Sequence, residues 1–164
     1  MNILVISHNQ KGWTYETLYN EHQQLIKKGK HKYYFWGPGY DFFTNDVLKV
    51  IEKYKKKGIV FQLIYICQSQ QDLIGKYNYD YMPKSFYKKK YEEFPINLHK
   101  IKIPKALVVG DFWLLNKYQW EFNFKKYDIS YAISIVLNHY APPTINSKFL
   151  SSYVKKNIKF FDYV

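Results

Sequence analysis

A histidine and an aspartate each follow one of the most apolar runs in the chain. His8 comes directly after the run Asn2–Ser7, and Asp111 follows the run Lys105–Val109 after a single glycine. A histidine can act as a general base when a nearby carboxylate orients its ring. Both residues also have ordinary structural uses, because an aspartate can cap a helix and a histidine can bond to a loop carbonyl. Acid–base chemistry is therefore expected only if the fold brings the two runs to one crevice.

Several neighbours of these two residues are candidates for contacting a substrate. Asn9 and Gly12 share the loop of His8, and a glycine there lets a ligand approach the backbone and the next helix N-terminus. Tyr40 follows the sequence Gly-Pro-Gly, which is typical of a tight turn. Aromatic rings at a crevice can stack on a sugar ring, although they serve equally well as core residues. The aromatic candidates are Trp13, Tyr40 and Trp113.

Most signatures of cofactor and metal chemistry are missing from the sequence. The loop after the first apolar run has one glycine, so the GxGxxG dinucleotide fingerprint is not present, and no GxxxxGK[ST] sequence occurs. The histidines have no metal-ligand spacing. Cys67 is the single cysteine and lies in an apolar run, which favours a buried small hydrophobe and excludes an internal disulfide. We expect no metal and no cofactor.

Alternating apolar runs and helical spacings predict the elements that position the candidate residues. A helix is expected from Val47 to Tyr54, with Thr44 or Asn45 as its N-cap and Gly58 as its stop. A last helix is expected around Phe149 to Val154. The predicted strands are Asn2–Ser7, Lys32–Trp36, Ile59–Ile66, Lys105–Val109, Ile129–Ser134 and Ile158–Phe161.

This alternation predicts an α/β fold in a single domain covering residues 1–164. We expect a doubly wound, mainly parallel, Rossmann-like sheet of about six strands in the order 3-2-1-4-5-6. Strands one and four are neighbours in that order. His8 and Asp111 would then lie within about 10 Å of each other at the carboxyl ends of the strands.

The charge of the chain leaves several alternatives open. The 164 residues carry a formal charge of +12, and all 25 basic residues are lysines. Compositional drift explains such a mixture, and so does a surface for phosphates, nucleic acid or an anionic membrane. The lack of arginine argues against a sequence-specific reader of nucleic acid. No run approaches the ~20 apolar residues of a membrane span, and the start lacks a signal-peptide pattern, so a cytoplasmic location is expected.

A set of short motifs occurs in an order known from one enzyme family. These are the opening NILVISHNQKGW, the turn WGPGY at 36–40, the segment IPK…GDFW at 103–113, the segment YDI at 127–129 and the final IKFF at 158–161. Their order and spacing resemble the N-terminal half of GT-B glycosyltransferases, especially family-four and spore-maturation-type members. The resemblance extends over nearly the whole chain, although each motif alone is short.

The resemblance implies transfer of a sugar from a nucleotide-activated donor. In that family the N-terminal domain mainly binds the acceptor, and a C-terminal domain holds most of the donor. The length of this chain suits one such domain, so a C-terminal domain or a partner chain is expected, with peripheral contact to a membrane as a further expectation. By position, Gly12 matches the loop that meets the donor phosphates or the acceptor. Asp111 matches the position after strand four, where the family often has a catalytic or acceptor-binding residue, and His8 matches the loop after strand one less closely. A non-catalytic ligand-binding module and a lysine-rich binder of anionic surfaces or nucleic acid are the alternatives.

Overall fold

The computed structural model describes the sheet and much of one helical layer. The described residues are 1–7, 24, 26–37, 40, 44–66, 95–109, 121, 124–134 and 152–162. The strands are β1 Asn2–Ile6, β2 Lys32–Trp36, β3 Leu63–Ile66, β4 Lys105–Val109, β5 Tyr131–Ser134 and β6 Lys159–Asp162. The helices are α1 Val47–Lys55 and α2 Ser152–Asn157, with a 3₁₀ turn at Leu98–Lys100.

The strands form one sheet in the order β2-β1-β3-β4-β5-β6. Each pairing between neighbours is parallel. The prediction of an α/β fold with a mainly parallel sheet is therefore confirmed. The predicted order 3-2-1-4-5-6 is wrong, because β3 lies between β1 and β4 rather than at the outer edge.

The side chains of β3 explain its interior position. Ile64 and Ile66 are fully buried on one face of the sheet, and Tyr65 is buried on the other. A strand covered on both faces reads as a continuous apolar run, as this one does. β1 and β4 pair with β3 on its two sides, and Ile64 lies beside Leu4 of β1 and beside Lys105 of β4. The apolar run predicted burial on both faces, and burial of that kind fits an interior strand better than an edge strand.

Two apolar clusters lie on opposite faces of the sheet. The larger cluster contains Leu4, Ile6 and Leu107 from the strands, and Val47 and Val50 of α1 pack against them. The smaller cluster on the other face is formed by Ile3, Val5, Tyr65, Ala106 and Val108. Alternation along β1 thus divides its side chains between two cores, as the pleat of a strand requires.

Both ends of α1 follow from local capping chemistry. Asp46 is the N-cap, and its side chain accepts a hydrogen bond from the backbone N–H of Leu48 at 3.0 Å. The predicted caps Thr44 and Asn45 are wrong, because the hydroxyl of Thr44 instead accepts from the N–H of Asp46 at 3.1 Å. The predicted stop at Gly58 is confirmed, and Gly58 has a φ of 74°, which favours glycine.

The helical segment 124–127 ends with the same hydrogen-bond pattern as α1. After α1, the N–H of Ile59 donates to the carbonyl of Tyr54 at 3.0 Å. After the second segment, the N–H of Ile129 donates to the carbonyl of Phe124, also at 3.0 Å. Asp128 occupies the position equivalent to Gly58, with a φ of 53°. Each bond joins a residue to the carbonyl five positions earlier, the signature of a Schellman motif.

The strand bounds agree with the sequence at β2 and β4 and differ by a few residues elsewhere. β3 begins at Leu63 rather than Ile59, because Ile59 belongs to the C-terminal motif of α1. β5 begins at Tyr131 rather than Ile129 for the same reason, since Ile129 closes the preceding helical segment. A helix end therefore accounts for both late starts. The predicted last helix around Phe149 is observed at Ser152–Asn157 among the described residues.

Candidate functional site at the carboxyl edge of the sheet

The carboxyl ends of all six strands lie at one edge of the sheet, because every pairing is parallel. In open sheets of this kind, ligands bind outside those ends where the chain reverses its direction across the sheet. From β1 the chain passes first to β2 on one side and then returns to β3 on the other. The switch point therefore lies between β1 and β3, and the predicted switch point between β1 and strand four is wrong.

The corrected strand order changes the expected relation between His8 and Asp111. β1 and β4 are separated by β3, so two strand spacings, about 10 Å, lie between them. β1 and β4 were predicted to be adjacent, which would have brought the two residues together, but they are not adjacent in the sheet. Both residues stay predictions, and the other predicted site positions outside the described part of the chain are Asn9, Gly12, Trp13 and Trp113.

Ser7 is the described residue closest in sequence to the predicted histidine. Its side chain is fully buried, and its N–H donates to the carbonyl of Trp36 at 3.1 Å. This bond continues the ladder between β1 and β2 one residue beyond the end of β1. The chain leaving β1 thus starts from a fixed position. The sequence prediction included Ser7 in the first strand but did not single it out as a polar side chain at the edge.

The predicted tight turn after β2 is present. The N–H of Tyr40 donates to the carbonyl of Gly37 at 3.0 Å, the bond of a four-residue turn. Gly37 has a φ of 144°, a conformation that residues with a side chain rarely adopt. The Tyr40 ring lies 5.3 Å from the ring of Phe35, with 31° between their planes. Tyr40 is half-buried, and its ring packs against the strand that precedes its own turn.

A second set of bonds fixes the chain between this turn and α1. The indole N–H of Trp36 donates to the carbonyl of Thr44 at 3.1 Å, and the Trp36 ring is buried. Asp46 pairs with Ile96 in an isolated parallel bridge, and the N–H of Ile96 donates to the carbonyl of Asn45 at 2.9 Å. Residues 44–46 are therefore held by a buried tryptophan of β2 and by the segment before the 3₁₀ turn.

The sequence prediction also missed the residues that leave β3. Cys67-Gln68-Ser69-Gln70 follow β3 directly, and the corrected order makes this exit part of the switch point. They lie outside the described residues. The signal that could have drawn attention to them was the apolar character of β3 on both faces, which suits a strand next to β1.

The strongest electrostatic feature of the described residues lies at the opposite, amino edge. Lys105, the first residue of β4, is fully buried, and its ammonium donates to the carbonyl of Ile101 at 2.7 Å. Its Nζ also lies 3.5 Å from a carboxylate oxygen of Asp128, a residue that is itself largely exposed. Burial lowers the pKa of Lys105 below its ordinary value, and the Asp128 carboxylate opposes that shift.

The described residues contain no group of three or more histidine, cysteine, aspartate or glutamate residues that could hold a metal ion. Among the helices in the described ranges, none is long and apolar enough to cross a membrane.

Comparison with protein-family models, with curated proteins and with solved structures gives no match to this chain.

Proposed function

We propose that the chain is the acceptor-binding, N-terminal domain of a glycosyltransferase and that it binds its substrate at the carboxyl edge of the sheet. The observation that carries the proposal is the ordered set of motifs from the opening NILVIS to the final IKFF. The parallel sheet supports it, since the domain type requires a sheet whose strand ends all meet at one edge.

The strand order is compatible with this domain type. Removal of the outermost strand from the doubly wound order 3-2-1-4-5-6 leaves 2-1-4-5-6. The observed order β2-β1-β3-β4-β5 is the same arrangement when the strands are numbered along this chain, and β6 extends it. The first crossover still reaches β2 on one side of β1, and all later crossovers run to the other side. The edge on which the domain would bind its acceptor is thus retained.

The roles within the proposed site follow from position along this edge. His8, Asn9, Gly12 and Trp13 belong to the connection that leaves β1 at the switch point. Asp111 belongs to the connection that leaves β4, one strand further away. We assign Asp111 to the acceptor hydroxyl, as the general base, and His8 to the donor phosphates. The separation of the two strands favours two different contacts with a substrate over a hydrogen-bonded His–Asp pair.

A binding experiment tests the location of the site. Nuclear magnetic resonance spectra of the ¹⁵N-labelled chain would be recorded with UDP-glucose, UDP-N-acetylglucosamine, GDP-mannose and a panel of free oligosaccharides. We expect shifts at Ser7, Gly37 and Tyr40, and none at the amino-edge residues Asn2, Gln62 and Ser130. Shifts confined to the amino edge, or none with any probe, would contradict the proposal.

A turnover experiment separates catalysis from simple binding. The gene product containing any domain that follows residue 164 would be tested for sugar transfer from the same donors, with Asp111→Ala and Asp111→Asn as variants. Loss of a general base lowers the rate by about 10²–10⁴-fold. Binding without turnover in the unmodified protein would instead favour a non-catalytic ligand-binding module.

A further inference from the structure

Most lysines in the part of the chain that the structure describes lie toward the amino edge of the sheet. In a parallel α/β fold each crossover must return the chain to the amino edge before the next strand begins. In this chain, each described segment that brings the chain back to the amino edge carries exposed lysines. They are Lys27, Lys28, Lys30 and Lys32 near the start of β2, Lys55, Lys56 and Lys57 after α1, Lys100 and Lys102 before β4, Lys125 and Lys126 before β5, and Lys156 and Lys159 at the start of β6.

Few described carboxylates balance these lysines. Glu52 pairs with Lys56 at 3.3 Å, Glu121 pairs with Lys125, and the Asp128 carboxylate lies beside the buried Lys105. Lysine is favoured at helix C-termini because it complements the helix dipole, which accounts for the lysines at the end of α1 and in the segment 124–127. The topology then places all of these helix ends on one side of the molecule. Their charges sum to a single positive surface of a kind that attracts polyanions.

Among the described residues, the most exposed large hydrophobic side chains lie at the same edge. Met1, Ile26 and Val60 are 58%, 52% and 60% exposed. The side-chain amide of Asn2 donates to the carbonyl of Val60 at 3.1 Å. Because Asn2 directly follows Met1, this bond keeps Met1 and Val60 close to one another. The carbonyl of Met1 accepts from the N–H of Lys32 at 2.9 Å, which places a lysine beside them.

We propose that the amino edge is a docking surface for an anionic lipid bilayer. The exposed lysines would contact the lipid phosphates and carboxylates, and Met1, Ile26 and Val60 would enter the boundary between headgroups and acyl chains. Basic residues around exposed aliphatic side chains are the combination that interfacial binding uses. This proposal goes beyond the proposed function and does not depend on it.

Two observations favour a bilayer over nucleic acid. Exposed aliphatic side chains gain free energy in the acyl-chain boundary, whereas a nucleic-acid backbone offers them no apolar phase. The basic residues are all lysines, and planar bidentate contacts with phosphates and bases are formed by arginine. A flexible ammonium suits a fluid layer of headgroups without fixed geometry.

The orientation of the sheet gives the docked protein a defined arrangement. The strands run from the amino edge to the carboxyl edge, and a five-residue strand such as β1 spans about 16 Å. A bilayer at the amino edge would leave the carboxyl edge facing water. The surface therefore serves to attach the protein to the bilayer, while the substrate edge stays open on the opposite side.

Cosedimentation of the full chain with vesicles tests the proposal. We expect binding to vesicles of phosphatidylcholine with about 30% phosphatidylserine, and none to pure phosphatidylcholine. Binding should weaken strongly between about 50 mM and about 500 mM salt, because exposed charges are screened. Substitution Lys57→Gln should lower the partition coefficient about fivefold, the effect of one lysine at such a surface.

Helix α1 supplies matched controls, because its two ends lie at opposite edges of the sheet. Lys49 and Leu48 lie in its first turn, near the carboxyl edge, and both are exposed. Lys49→Gln removes the same charge as Lys57→Gln, and Leu48→Ser removes an aliphatic side chain as Val60→Ser does. We expect both Lys49→Gln and Leu48→Ser to bind vesicles as the unmodified chain does, and Val60→Ser to bind more weakly.

Three results would overturn the proposal. The first is no binding to anionic vesicles at low salt. The second is an equal loss of binding in Lys57→Gln and Lys49→Gln, which would indicate attraction by the net charge alone. The third is unchanged vesicle binding in Val60→Ser together with tighter binding to single-stranded DNA, which would identify a nucleic-acid surface instead. Thermal unfolding of each variant verifies that it is folded.

Discussion

The amino and carboxyl edges of the sheet are built in different ways. At the amino edge, the described helix ends are joined to strand starts by short connections that combine a local helix cap with a bond to a neighbouring strand. In the α1–β3 connection, the N–H of Ile59 donates to the carbonyl of Tyr54, and the N–H of Gln62 then donates to the carbonyl of Asn2 at 3.0 Å. At the carboxyl edge, the described bonds combine the tight turn at Gly37–Tyr40 with a bridge between distant segments, Asn45 with Ile96.

This difference shows how a parallel fold divides stability from binding to a substrate. The amino edge contains capped helix ends and a buried charge, and its buried residues make contacts that hold the sheet together. At the carboxyl edge the chain leaves each strand, and connections of this kind carry binding residues in many folds. Substitution of buried residues or helix ends should therefore change stability, substitution of the exposed amino-edge lysines and aliphatic side chains should change attachment to a bilayer, and substitution at the strand exits of the carboxyl edge should change substrate binding.

The largest expected effect tests the buried lysine of the amino edge. Lys105→Ala removes a fully buried side chain and leaves the carbonyl of Ile101 without its ammonium donor. We expect the free energy of unfolding to fall by about 3 kcal/mol, as for other large-to-small substitutions at buried sites. Chemical denaturation at neutral pH measures the change.

The control for this prediction separates volume from charge. Lys105→Met keeps most of the buried volume and removes the charge, and the partner carboxylate of Asp128 is 66% exposed and can return to water. The methionine variant should therefore lose less than half as much stability as the alanine variant. Equal losses would show that the hydrogen bonds of the ammonium, rather than packing, stabilise this edge.

The comparison of edges also shows what the sequence could predict. The apolar runs of β2 and β4 predicted both strands at their observed bounds, and Gly58 predicted the end of α1, because these signals are local. Strand order depends on contacts between distant segments. The one sequence feature that argued against an outer position for β3 was its continuous apolar run, which indicates burial on both faces. Asp128 ends a helical segment as Gly58 does. This helix end was not predicted, because position 128 is not a glycine.

The candidate site was less predictable than the fold for the same reason. Tyr40 could be predicted to follow a turn, since Gly-Pro-Gly fixes the local backbone. Its contact with Phe35 depends on the direction in which the turn folds back on β2. The relation between His8 and Asp111 depended on the order of four strands. One misplaced strand therefore doubled the number of strand spacings between β1 and β4, the strands that precede these residues.

A smaller effect is expected at the C-terminal end of α1, on the amino edge. Gly58 has a φ of 74°, and a Cβ built there meets no atom within 4 Å. The cost of Gly58→Ala thus comes from the left-handed backbone and not from a clash, and we expect about 1 kcal/mol in the free energy of unfolding. Asparagine tolerates this conformation better, so Gly58→Asn should cost less. An alanine variant as stable as the unmodified chain would show that this end of the helix rearranges freely.

A similar or slightly smaller effect is expected at the other end of the same helix. Asp46→Ala removes the oxygen that accepts from the N–H of Leu48, and loss of such a cap costs about 1 kcal/mol. Asp46→Ser retains an acceptor and should restore most of the stability. The N–H of Asp46 also donates to Thr44, and the Thr44 carbonyl accepts from the indole of Trp36, next to Gly37. The alanine variant should therefore also alter the resonances of the turn at Gly37–Tyr40. Perturbation limited to α1 would separate this cap from the candidate site.

The smallest effect is the pH dependence that Lys105 contributes to the amino edge. Its pKa is lowered in the folded protein, first by burial and in addition by Lys102, while Asp128 acts in the opposite direction. The unfolded chain therefore keeps this proton to higher pH than the native chain does. Between the lowered pKa and the ordinary lysine value of about 10.4, unfolding requires uptake of a proton, so the Lys105 contribution makes the free energy of unfolding rise with pH.

This contribution is measured as a difference between two proteins, because the many tyrosines of the chain ionise in the same range. The free energy of unfolding of the unmodified chain minus that of Lys105→Met cancels their shared titration. We expect that difference to increase as the pH is raised toward about 10. A difference that decreases with pH would mean that the Asp128 carboxylate outweighs burial at Lys105. The ion pair, and not the cost of desolvation, would then dominate the electrostatics of the amino edge.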